Sequence, residues 1–184
     1  MGSHIPNEGA YDMPQEKQKK KEPNKDKPMV FVYGTLKKDH PNHGYLRHSE
    51  FVRRMYLTKD FYMVSLGGFP AIVSSHDIEK PPKALGKPYH IYGELYRVNA
   101  ATLESLDCLE GHPDFYSRKQ LDVHDMEENA WVYVLPKSYV VDDTLKARAG
   151  LSSALISEGV WLPTDEEATW MRGLTDEGAT INVK

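Results

Sequence analysis

Glu110 is the residue around which chemistry is read first. It closes the stretch NAATLESLDCLEGHPDFYSR over residues 99–118. A helix is expected there. Asn99 is a good N-cap, Leu103, Leu106 and Leu109 recur at near-helical spacing as one buried stripe, and Gly111 followed by Pro113 stops the helix. Glu110 then lies in the last turn, where exposed carbonyls disfavour a carboxylate, and Asp107 adds a like charge one turn back. Both effects are expected to raise the carboxyl pKa, which is what a general acid/base working near neutral pH requires. A solvated acid at a helix end is the plain alternative.

Two other reactive patterns are present. Cys108 and His112 lie four apart, the spacing of a nucleophile and its base. Cys108 falls between Leu106 and Leu109, however, and is expected to be inert, buried packing. His40, His43 and His48 suggest a metal, but nothing in their surroundings supplies a carboxylate or the groups that orient imidazole ligands, so no metal is expected. There is also no glycine-rich phosphate loop and no paired-cysteine spacing, so no cofactor is implied.

The elements that must position Glu110 follow in chain order. Residues 1–27 are expected to be a disordered tail. The first four, MGSH, resemble a vector remnant, and the lysines from Lys17 to Lys21 are read as part of a solvated linker. The folded domain is expected over residues 28–140. MVFV is a compact strand that breaks at Gly34, and ligand sites often lie just past such strand ends. The loop Tyr33-Gly34-Thr35-Leu36 is therefore a second candidate site element, whose successive N–H groups suit an anion or oxyanion. Residues 37–43 form a polar loop, and a short helix or turn follows from Gly44. Two or more strands occupy residues 51–75, interrupted by Gly67-Gly68, which serve either as a turn or as room for substrate. YHIYGELYRV is a strand whose central Gly93 suggests a bulge or close backbone packing. Glu94 within it needs a partner if it faces inward. Residues 116–124 and 130–135 give two further strands, the second (AWVYVL) expected to be central. Residues 147–158 are modestly helical, a helix is expected over 164–172, and Trp161 and Trp170 either anchor this 141–184 extension or form a partner surface. About six mostly consecutive strands with one or two helices define an α+β domain around a small, mixed or barrel-like sheet.

Composition sets outer limits. The 184 residues carry a net charge of −4, with 40% hydrophobic and 27% charged residues. One domain with a proper core is expected, without a basic surface for nucleic acid. A single cysteine fits a reducing, cytoplasmic setting, and no apolar run approaches the roughly 20 residues needed to span a bilayer. The sequence carries no signal of oligomeric state.

Three pieces now stand in order: YGTL at residues 33–36, GELY at 93–96 and LDCLEG at 106–111, followed by Tyr116 and Arg118. This set resembles the γ-glutamylcyclotransferase-like superfamily, and YGTLKKDHPNHGYL is similar to its γ-glutamylamine cyclotransferase and AIG2-like branch. The resemblance covers residues 29–135. It implies a small mixed β-barrel with flanking helices, a cavity lined by Tyr33, Gly34, Thr35 and Leu36 that holds a small-molecule γ-glutamyl group, and Glu110 as catalytic general acid/base. Tyr116 either lines the cavity or packs in its strand. Arg118 is expected to be structural, paired with Glu94, Asp107 or the substrate. The expected activity is cyclisation of a γ-glutamyl compound to 5-oxoproline without cofactor. A non-catalytic binding module of the same fold is the alternative.

Overall fold

The computed structural model describes residues 1, 26–78, 88–141, 155–156 and 159–161. Residues 2–25 of the expected tail, the helix expected over 164–172 and Trp170 lie outside them.

Among the described residues, seven strands form one sheet: β1 (Met29–Val32), β2 (Glu50–Ser65), β3 (Pro70–Ser74), β4 (Tyr89–Arg97), β5 (Ser117–Leu121), β6 (Ala130–Val134) and β7 (Leu155–Ile156). The ladder runs β3-β2-β4-β1-β6-β5, with β7 also on β2. β1 is antiparallel to β4 and parallel to β6. The helices among the described residues are α1 (Ala100–Glu110) and α2 (Lys137–Val141), and a 3-10 turn covers His43–Leu46. The expected α+β class with a mixed sheet stands. The expected barrel does not close: β3 and β5 remain the ends of the ladder, and β3 meets β6 at a hydrogen bond from the Leu135 N–H to the Ile72 carbonyl (2.9 Å).

The curl comes from β2. Its first half pairs with β4 and its second half with β3, with register shifts between Phe51 and Arg53 and between Leu57 and Phe61. Such irregularities bend a strand and increase its twist. Side chains alternate between the two faces. Val30, Val32, Tyr62 and Val64 enter one cluster with Leu106 of α1, while Met29, Phe31, Phe61 and Met63 enter a second cluster with Trp161. β1 is buried along its whole length, in keeping with its unbroken apolar run. AWVYVL is β6, one place in from the β5 edge, whereas β4 and β1 hold the centre.

Two further expectations change here. Leu155 and Ile156, placed in a modestly helical stretch by sequence, pair as a strand with Val64 and Met63 of β2. Trp161 is buried, and its carbonyl accepts from the Lys37 ammonium at 2.9 Å. Lys37, read as part of a polar loop, is itself fully buried. A buried ammonium needs hydrogen-bond acceptors, and the Trp161 carbonyl is one of them.

Candidate active site

α1 forms as its ends require. The Asn99 side chain accepts from the Thr102 N–H at 2.8 Å, and Gly111 takes the left-handed conformation (φ 62°) that a helix stop needs. Only Leu106 of the three leucines is fully buried. Leu103 and Leu109 pack against the same cluster from its margin. This rotation of the helix turns Cys108 to solvent, contrary to the expectation of a buried thiol. His112, its supposed base, instead accepts from the Arg118 N–H at 3.2 Å through Nδ1. Among the described contacts Cys108 and His112 do not pair, and the reading of them as nucleophile and base has no support.

Glu110, the last residue of α1, faces a cavity of about 400 Å³, within the size range of small-molecule sites. The loop after β1 lines the same cavity through Tyr33, Gly34, Thr35 and Leu36, and Tyr116 lines it as well, its N–H donating to the Glu110 carbonyl at 3.3 Å. All six residues singled out by sequence thus meet in one cavity. The loop is compact. Lys37 N–H returns to the Gly34 carbonyl (3.1 Å), Asn42 N–H to the Thr35 carbonyl (2.9 Å), and the Asn42 amide donates to the Thr35 hydroxyl (3.0 Å). Among the described residues, none accepts from the N–H groups of Gly34, Thr35 or Leu36.

Sequence reading missed several wall residues. Pro41 and Asn42 come from the polar loop, Phe69 and Pro70 from the start of β3, Phe115 from the turn after α1 and Tyr133 from β6. The signal for Asn42 lies in the Pro-Asn-His segment, a part of the family resemblance. The β2–β3 turn combines both roles left open for its glycines: Gly67 has φ 100°, and Gly68 lines the cavity.

The electrostatics depart from expectation in one respect. Burial raises the Glu110 pKa from 4.5 to about 7. The helix-end carbonyls and Asp107 were expected to do this. The Asp107 carboxylate is instead taken up by Arg118 Nη1 and by the Tyr133 hydroxyl, each donating at 2.7 Å. That pairing also selects Asp107 among the three partners weighed for Arg118, whose guanidinium stacks 4.6 Å above the Trp131 ring. Tyr33, Tyr116 and Tyr133 are all pushed above their ordinary values, mainly by burial, with the Glu110 charge adding in each case. They stay neutral, with hydroxyls donating to the Tyr133 carbonyl (2.8 Å), the Pro70 carbonyl (2.9 Å) and Asp107. Among the described residues, Glu110 is the one carboxyl in the cavity wall and the group there that changes charge near neutral pH.

Glu94 faces inward, as a buried strand acid with partners. It accepts from the Lys38 N–H (2.7 Å) and the Tyr96 hydroxyl (2.9 Å), and lies 3.7 Å from Arg54. It braces the loop rather than lining the cavity. His43 contacts the Leu36 carbonyl and His48 pairs with Arg47. Among the described residues, no three His, Cys, Asp or Glu side chains come together as a cation site.

Gly34 sits against Pro70: a Cβ there would lie 2.8 Å from the proline Cγ. Gly34→Val should therefore displace the Pro70 side of the cavity, whose carbonyl also holds Tyr116. Misplacement of about 1 Å costs on the order of 100-fold in rate, and a drop of that size in kcat/KM is expected. A fully active variant would mean that the loop is not at the site.

An open, curled α+β sheet whose cavity is lined by an acid of raised pKa and a backbone-rich loop is thus the class of protein defined by fold and site. Residues 30–162 match the family model for γ-glutamyl cyclotransferase, AIG2-like, and the chain belongs to that enzyme family. A Methanocaldococcus jannaschii protein provisionally named a γ-glutamylcyclotransferase is 39% identical over 59% of this chain and 85% of its own length. The γ-glutamylaminecyclotransferase of Bos taurus is 34% identical over 51% of this chain and 55% of its own. Among solved structures, an AIG2-like protein of Mus musculus matches with a TM-score of 0.52 and 26% identity, over 76% of this chain and 97% of that one. Among the described residues, no helix is long and apolar enough to cross a membrane.

Proposed function

We propose that the protein cyclises a γ-glutamyl compound, releasing 5-oxoproline and a free amine, with Glu110 as general acid/base. The observation that carries this is the position of Glu110: the one carboxyl among the described wall residues, with a pKa of about 7, in a cavity that the loop over residues 33–36 also lines. The names of the relatives support the same reading, and a γ-glutamylamine is the donor class they favour.

The steps follow from that arrangement. The substrate folds so that its α-nitrogen approaches its own γ-carbonyl carbon. Glu110, ionised, takes a proton from the α-ammonium. The freed nitrogen lone pair forms the new C–N bond, and the carbonyl electrons move onto oxygen. The N–H groups of Gly34, Thr35 and Leu36, for which no acceptor is found among the described residues, suit that oxyanion or the α-carboxylate. As the carbonyl re-forms, the bond to the leaving nitrogen breaks, Glu110 returns its proton there, and the ring nitrogen gives up its second proton to the released amine, which departs as an ammonium. Both reacting groups belong to one molecule, so folding it correctly supplies much of the rate, with effective molarities of about 10⁵ M or more for well-aligned cases. The neutral tyrosines shape and dry the cavity without competing for the proton.

Since the ionised form of Glu110 begins the reaction, kcat/KM should rise with pH through about 7. The deciding experiment incubates the protein with a panel of γ-glutamyl compounds, including γ-glutamylamines, γ-glutamyl amino acids and glutathione, and follows 5-oxoproline and released amine by mass spectrometry. Formation of both from at least one donor is expected. Donor binding with no product from any of them would favour a binding module instead.

A further inference from the structure

Asp107 does not line the cavity, yet its carboxylate joins the two walls that do. It sits on α1 one turn before Glu110, so the two share a helix face. One oxygen accepts from the Tyr133 hydroxyl at 2.7 Å and the other from Arg118 Nη1 at 2.7 Å. Tyr133 forms part of the cavity wall, and its backbone carbonyl accepts from the Tyr33 hydroxyl at 2.8 Å. Tyr33 in turn opens the loop over residues 33–36. A continuous line of hydrogen bonds therefore runs from the helix that carries Glu110, across β6, to the loop that lines the same cavity. Arg118 secures the outer end of the line, lying over Trp131 two residues before Tyr133 on the same strand face.

We propose that Asp107 is a positioning residue: through the Tyr133 hydroxyl it fixes the spacing between Glu110 and the loop that holds the γ-glutamyl group, while Arg118 anchors it structurally. The proposal rests on the reading of Glu110 given above. The other contact between α1 and β6 among the described residues is the apolar cluster that Leu106 and Tyr133 share, and apolar packing sets distance less sharply than a directional, charge-assisted hydrogen bond. The groups facing Glu110 are Tyr33 from the end of β1, Tyr116 before β5 and Tyr133 from β6, with Asp107 on its own helix. The tyrosines carry no charge at neutral pH, so loosening the wall acts on Glu110 through water entry rather than through a new charge.

The test uses the full chain. Asp107→Ala and Tyr133→Phe each remove the bond, whereas Asp107→Asn keeps an acceptor for the Tyr133 hydroxyl and loses the ion pair. The first two should lower kcat about tenfold or more with KM within about threefold, and Asp107→Asn should recover most of the loss. The double variant should be little worse than either single one, because both delete the same bond. Arg118→Gln, which leaves the Tyr133 bond in place, should lower the melting temperature more than it lowers kcat. A carboxyl carbon-13 titration, assigned with Glu110→Gln, follows Glu110 without any turnover, and its pKa should fall in Asp107→Ala as water enters. An unchanged kcat in Asp107→Ala and Tyr133→Phe, whatever the melting temperature does, overturns the proposal. If the wild type forms no 5-oxoproline from any donor, the proposed function fails by itself and the titration alone judges the brace: an unmoved Glu110 overturns it.

Discussion

Glu110→Gln should abolish turnover and at the same time make the folded protein more stable at pH 8. The first half follows from the proposed chemistry. The amide keeps the shape of the side chain but neither takes nor returns the proton, and general acid–base catalysis contributes on the order of 10²–10⁴-fold. The second half follows from burial. The Glu110 carboxyl titrates near 4.5 in the unfolded chain and at about 7 in the folded one. Between those values the folded chain holds a proton that the unfolded chain has released, so stability falls as pH rises through the window. Above pH 7 the whole cost stands. Each pKa unit is about 1.4 kcal/mol, and the partial exposure of Glu110 to the cavity trims the total to about 1–2 kcal/mol. Glutamine removes that cost. Urea unfolding of both proteins should give a gain of this size at pH 8 and none at pH 4. An equal difference at both values would mean that Glu110 titrates normally. Retained 5-oxoproline formation would remove it from the mechanism.

Gly93→Ala should be the most damaging single methyl group in the sheet. Gly93 sits at the middle of β4, between β2 and β1. A Cβ there would run into the Val32 carbonyl oxygen and lie 2.6 Å from Phe31 Cζ. Backbone cannot swing aside as a flexible side chain does, and Phe31 is itself held in the second core cluster. The methyl group must push β1 away from β4 immediately before Tyr33, where the strand delivers the loop to the cavity. Overpacking of this kind costs about 3 kcal/mol, which for a chain of this size lowers the melting temperature by roughly 6–12 °C. Calorimetry checks the figure. A change below about 0.5 kcal/mol, the level of an ordinary surface substitution, would show that the two strands part easily. Activity should fall alongside stability, since the displaced strand end and the substrate loop are one piece of backbone.

Much of this molecule is local and was therefore legible in the chain. The cap at Asn99 and the left-handed stop at Gly111 concern neighbouring residues alone, and they fix where α1 begins and ends and that Glu110 closes it. The apolar run of β1 and its break at Gly34 mark a buried strand and the loop after it. Gly93 signalled either a bulge or a close backbone approach, and the structure shows the close approach, with the Val32 carbonyl where a Cβ would stand. The motif set around Tyr33, Gly93 and Glu110 was enough to mark the family. What needed the tertiary structure is what depends on groups distant along the chain. The rotation of α1 is set by the surface it packs on, so the sequence alone could not show that Cys108 faces solvent or that Leu106 is the leucine fully covered. The raised pKa of Glu110 was anticipated, but its cause was not: burial comes from walls built by β1, β3, β6 and the turn after α1, and no local spacing reveals it. The partner of Arg118, the burial of Lys37 beneath Trp161 and the pairing of Leu155–Ile156 with β2 are long-range contacts of the same kind. Whether the sheet closes also depends on the bends in β2, which bring β3 to β6 at the Leu135–Ile72 hydrogen bond and leave the ladder open at its two ends.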